Sequence, residues 1–454
     1  MSLLRGNRVG LMSCVVLCLA AWVAFGAEPE KYVVKVQTDH SDALYAVNQE
    51  ASFTITVTEA GKAVTEGEVK VKLSMDYGKA IGEEKTLKLG AEPLKMTGTL
   101  GEPGFLNCLV TFAKEGKTYK GAAAGGFDPQ AIKPACKLPA DFDAFWQAGI
   151  EELGKVPMDA QVTAMPQFSN EKHDTFYVSF ANVGNSRTYG FLCVPKGKKG
   201  PYPAMLFPPS AGLVKPTSPT EPEWADRGVL YFASCIQDFD PMNPPKDIEK
   251  RLDYTVIGAP DRDKYYFRQV ILGQYRAIEY LKNRSDFDGK HMVISSGSQG
   301  GGLALMLGAL NPHVTAICLT KPAMCDHQAP LAGRGIPWPG LLRPAEHRTE
   351  EWVKMSEYYD AVNFARKITI PVLANVGFID STCPPSTGYA AYNVIPGANK
   401  TMMNFVTQEH FWTFNDEANT WWRIEGRWLN GQFGFTPVVP PAGIIGPAKP
   451  ASAN

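Results

Sequence analysis

The change of hydrophobic period near residue 139 constrains the fold of this chain more than any other feature. From Lys31 to about Phe127, apolar and polar residues alternate in short runs: Tyr32-Val33-Val34-Lys35-Val36, Ser52–Val57 and Glu68–Leu73, parted by turn signals such as Ala60-Gly61-Lys62. Alternation places successive side chains on opposite faces of a strand, so each run has one face to bury. Several such strands at short spacing predict a small all-β, immunoglobulin-like sandwich over residues 31–128. After Pro139 the pattern changes. Asp141–Trp146 opens a helix, and Thr175–Ala181 with Arg187–Val194 reads as a hairpin around Gly184-Asn185. Continuous apolar runs at Ala204–Phe207, Val229–Ala233, Met292–Ser295, Ala316–Leu319, Val372–Val376 and Met402–Val406 then alternate with helical stretches. Strands of that kind are covered on both faces, which predicts an α/β region over residues 138–434 with a mostly parallel sheet. The Pro-rich residues 435–454 are expected to be disordered.

Composition narrows the partners. Hydrophobic residues make up 44% of the 454 and charged residues 20%, enough apolar material for a large core and unlike a disordered chain. Lys+Arg 45 against Asp+Glu 46 leaves no basic excess to gather phosphates, so no nucleic acid is expected as a partner. Arg5 and Arg8 precede an apolar run, Val9–Phe25, and Ala24-Phe25-Gly26 offers small residues for signal peptidase. Residues 1–26 are therefore read as a signal peptide, with an uncleaved anchor as the competing reading. The mature chain is expected to be secreted or periplasmic, without a membrane span. Removing Cys14 and Cys18 leaves seven cysteines, an odd number without CxxC spacing, so no metal site is expected. Cys193, Cys235 and Cys318 read as core residues, and Cys108–Cys136 is the one disulfide considered.

The chemistry concentrates at Ser298. His291–Ser295 is a strand, Ser296-Gly297-Ser298-Gln299-Gly300 a turn, and Leu303–Gly308 the body of a helix. A nucleophile on a strand-to-helix turn needs small residues two before and two after it. Here they are Ser296, where glycine is usual, and Gly300. The helix start favours developing negative charge, and the Gln299 N–H is available to an oxyanion. A serine nucleophile needs a base and an orienting acid. Asp380 follows the strand at 372–376, and His410 follows the strand at 402–406 and is the only histidine after His347. Both fall in loops after late strands, where open α/β sheets place ligand-contacting groups.

Taken with these motifs, the catalytic region resembles the acetyl xylan esterase/cephalosporin C deacetylase family, carbohydrate esterase family 7 of the α/β-hydrolase superfamily. The segments that carry the resemblance are Leu138–Trp146, Ser298–Ala304, Lys321–His327, Tyr358–Ala365 and, most specifically, Gly377–Thr387 with Ala390–Asn393. The resemblance implies an α/β-hydrolase fold, Ser298 as nucleophile, Asp380 as acid and His410 as base. It implies hydrolysis of acetyl esters on carbohydrates without metal or cofactor, and a homo-oligomer is among the assemblies it allows. Three departures stand out. Pro208–Gly212 replaces the family's His-Gly pair, so the first oxyanion N–H is carried to Ala211. Ser234–Asp238 replaces an Arg-Gly-Gln motif. His410 is followed by Phe411-Trp412 rather than Glu. Trp338, Trp412 and His327 are the candidate substrate contacts. On the residues alone, a dienelactone hydrolase-like enzyme, a peptidase or an inactive carbohydrate-binding protein remains open.

Overall fold

The computed structural model describes residues 30–197, 200–212, 218–246, 248–251 and 253–435. The expected leader and all of the expected tail except Phe435 lie outside them. The N-terminal region contains β1 (Tyr32–Thr38), β2 (Leu44–Tyr45), β3 (Ala51–Glu59), β4 (Lys62–Ala63), β5 (Glu68–Met75), β6 (Lys85–Lys88), β7 (Leu94–Gly98), β8 (Gly104–Lys114) and β9 (Lys117–Phe127). One sheet joins β1, β3 and β4, with β7 also on β3, and the other runs β2-β9-β8-β5-β6. The alternation seen in the sequence is the burial pattern: Val34 and Val36, Phe53, Ile55 and Val57, and Val69, Val71 and Leu73 all face one shared core. Cys108 lies inside that core while Cys136 belongs to the core of the following region, and both are free thiols. The considered disulfide is therefore absent, because the two side chains are committed to separate hydrophobic clusters.

The following region contains α1 (Phe142–Gly154), β10 (Gln161–Ala164), β11 (His173–Ala181), β12 (Arg187–Pro195), β13 (Tyr202–Phe207), α2 (Glu223–Asp226), β14 (Leu230–Ser234), α3 (Tyr266–Lys282), β15 (Phe287–Gly297), α4 (Gln299–Leu310) and β16 (Ala316–Thr320). It ends with α5 (Glu350–Tyr358), α6 (Ala361–Ala365), β17 (Val372–Gly377), α7 (Pro385–Val394), β18 (Lys400–Phe405) and α8 (Asp416–Gln432). Nine strands form one sheet in the order β10-β11-β12-β14-β13-β15-β16-β17-β18. The first pairings are antiparallel, and from β14 onward every pairing is parallel. β10 carries no hydrophobic period, since all four of its residues are exposed, and only pairing with β11 makes it a strand. β13 has β14 on one side and β15 on the other. This reversal of strand order opens a crevice beyond the strand ends, where ligands bind such sheets. Among the described residues no helix is long and apolar enough to cross a membrane.

Candidate active site

Ser298 joins β15 to α4 at φ 54° and ψ −125°, a conformation that costs a non-glycine residue energy. The surroundings hold it there. Its N–H donates to Thr320 O at 2.9 Å, and its carbonyl accepts the N–H groups of Gly302 (3.1 Å) and Ala323 (2.9 Å). A Cβ at position 300 would lie 2.1 Å from Ser296 Oγ and 2.4 Å from Pro208 O, so only glycine fits. Ser296 is itself used, since its hydroxyl donates to Pro208 O at 2.6 Å and ties the turn to the loop after β13.

The distant partners converge on this turn. His410 Nε2 lies 3.0 Å from Ser298 Oγ, and His410 Nδ1 lies 2.8 Å from Asp380 Oδ2. The other oxygen of Asp380 accepts the N–H groups of Thr382 (2.8 Å) and Cys383 (2.7 Å). Asp380 is fully buried, whereas Ser298 is half-buried. Gln299 heads α4, where the first N–H groups have no partner within the helix. Its side chain donates to Pro209 O (3.1 Å) and accepts from Tyr254 O–H (2.8 Å), which in turn accepts the Gly212 N–H (3.0 Å). These bonds lay the loop carrying Ala211 against the turn. The Ser234–Asp238 segment is held by α3: Gln274 Nε2 donates to Cys235 O and Tyr266 O–H to Ile236 O.

Lys321 was visible in the sequence only as part of a matched segment. Its side chain is buried, and Nζ donates to the carbonyls of Glu409 and His410, clamping the loop that carries the imidazole. Burial lowers its ammonium pKa to about 8. The sequence signal that could have found it is a lysine at a strand end surrounded by apolar residues. Trp412 covers this lysine, with Nζ 3.8 Å from the ring centroid and Phe405 on another side. Trp338 is half-buried near Tyr254, and its backbone N–H donates to Thr382 O, beside Asp380. His327 lies in the interior at 2% exposure rather than facing a cleft, because Asp360 grips its backbone N–H at 2.6 Å and turns the loop inward. Burial drops its ring pKa to about 4.

Cys383 brings a third donor within 4.8 Å of Asp380 and His410. Both carboxylate oxygens of Asp380 are already engaged, and burial holds the Cys383 thiol protonated, so this set suits proton transfer rather than a cation.

Residues 130–425 match the model of the acetyl xylan esterase (AXE1) family. The chain belongs to the acetyl xylan esterase family. The acetyl esterase Axe7A of Xylanibacter ruminicola is 33% identical over 391 residues, covering 84% of this chain and 87% of that protein. This chain is similar in fold to the acetyl xylan esterase from Paenibacillus sp. R4 (TM-score 0.56, 24% identity, 66% of this chain and 98% of that one). The acetyl xylan esterase 1 from Thermoanaerobacterium sp. JW/SL YS485 gives TM-score 0.55 at 20% identity, over 67% and 98%. A third of this chain therefore lies outside what those two structures match.

Proposed function

We propose that this protein is a serine esterase, secreted or periplasmic, that removes acetyl groups from acetylated sugars or polysaccharides through an acyl-enzyme. The observation that carries the reading is the unbroken chain of hydrogen bonds from Ser298 Oγ through His410 to Asp380. His410 Nε2 takes the hydroxyl proton as Oγ attacks the acetyl carbonyl, and the Asp380 carboxylate stabilises the imidazolium at Nδ1. The N–H groups of Gln299 and Ala211 receive the oxyanion, a contribution worth about 2.7–4 kcal/mol per donor in comparable sites. The imidazolium gives its proton to the departing sugar hydroxyl. Water, deprotonated by His410, then cleaves the acyl-enzyme and frees acetate. Family membership supports the acetyl group, and the half-buried Ser298 suits an ester whose alcohol is bulky. Residues 31–128 are read as an immunoglobulin-like domain attached to the catalytic one.

Acetate release from a panel of acetylated polysaccharides, beside an aryl acetate and an aminoacyl arylamide, tests the reading. Acetate from a glycan is expected. Turnover of the arylamide alone would make the enzyme a peptidase, and failure of a fluorophosphonate to label Ser298 would make it a binding protein.

A further inference from the structure

The turn after β5 does not end in solvent. Tyr77 reaches the loop that carries Asp380, Asp76 the start of α7 beyond it, and Gly78 packs on Gly333 and Arg334. Tyr77 O–H donates to Ile379 O at 2.9 Å, one residue before the acid. Asp76 is fully buried, and its Oδ2 accepts from Ser386 Oγ at the start of α7. Phe105 of β8 sets its ring against Phe378 at 4.9 Å, edge on. The acid loop is thus gripped before and after Asp380 by residues of the N-terminal β region.

The turn is itself rigid. Asp76 N–H donates to Phe105 O (2.7 Å), Tyr77 N–H to Asn107 Oδ1 (3.0 Å) and Lys79 N–H to Gly333 O (2.7 Å). Asp76 and Tyr77 both have positive φ, 51° and 63°, which non-glycine residues keep only where the surroundings impose it. A Cβ at Gly335 would fall 2.1 Å from Asp76 O and 2.8 Å from Pro384 Cγ, so the Gly335 backbone packs tightly against both the turn and Pro384.

We propose that this turn is a working part of the active site, with Tyr77 and Asp76 as positioning residues that hold the Asp380 carboxylate on His410. The role rests on reading Asp380 as the orienting acid. Its physical route is short: Asp380 Oδ1 is fixed to the N–H groups of its own loop, so the carboxylate goes where that backbone goes.

The test uses the full-length chain with Tyr77→Phe, which removes one hydroxyl, and Asp76→Asn, beside Ser298→Ala and Asp380→Asn. kcat and KM for an aryl acetate, the rate of fluorophosphonate labelling and Tm are measured on each. Tyr77→Phe is expected to lower kcat about 5-fold, the scale of one lost hydrogen bond, with KM within about two-fold, labelling slowed in step and Tm within a few degrees. Wild-type kcat and labelling in Tyr77→Phe, with Ser298→Ala and Asp380→Asn inactive, overturn the role of the turn and leave the acid standing. Full activity in Asp380→Asn overturns the reading of the acid itself. If Asp76→Asn does not fold, Tyr77→Phe decides alone.

Discussion

His410 is held at both ring nitrogens, by Ser298 on one side and Asp380 on the other. That arrangement fixes the tautomer: Nδ1 carries the proton toward the carboxylate and Nε2 is free to accept one. Ser298→Ala should therefore lower aryl acetate turnover by about ten-thousand-fold or more while leaving Tm unchanged, as steady-state kinetics and calorimetry would read. His327 makes a different prediction. Its ring pKa is about 4 in the folded protein against an ordinary 6.5. Between those values an unfolded chain binds a proton that the native ring refuses, so stability falls as pH drops through this window, by about 3 kcal/mol in total. Denaturant midpoints of His327→Leu should fall less between pH 7 and pH 4 than those of the wild type. An equal fall in both proteins would assign the acid sensitivity to other groups.

Two elements carry most of the site's geometry. The first is the β15–α4 turn, where Gly300 packs on Ser296 Oγ and Pro208 O. Gly300→Ala forces those atoms apart and should cost about 2 kcal/mol, together with most of the activity, because the displaced Pro208 loop carries Ala211. Unfolding midpoints and kcat measured together check this. The second is the loop after β18, clamped by Lys321 at two carbonyls. Lys321→Met keeps the apolar stem and removes the ammonium, so kcat should drop about 10-fold with KM near wild type, the scale of one charge-assisted hydrogen bond. The turn was legible in the sequence because its small residues sit at fixed offsets. The clamp was not, since a lysine's partners here are main-chain carbonyls some 90 positions away, and carbonyls leave no trace in residue identity.

At the scale of the whole molecule, the β region and the catalytic region share packing. Ala43, Phe105 and Ala124 of the former lie in the same core as Phe378 and Tyr389 of the latter. Phe105 is fully buried, with Phe378 at 4.9 Å and Tyr389 at 5.8 Å. Phe105→Ala should destabilise the protein by about 3–5 kcal/mol. With the shared core intact, chemical unfolding of the wild type should show one transition, by fluorescence and by loss of activity alike. Two separated transitions would show that the regions unfold independently.

The β1, β3 and β5 strands, the inner strands of the nine-stranded sheet and the turn around Ser298 were readable from residue order, because hydrophobic period and turn chemistry are local and each leaves a pattern within a few positions. Which apolar run sits beside which, the exposed strand at Gln161–Ala164, the burial of His327 and the grip of Tyr77 on the Asp380 loop were not. These depend on contacts between residues as far apart as Tyr77 and Ile379, formed when burying two hydrophobic surfaces against each other brings unrelated stretches of chain within hydrogen-bonding reach.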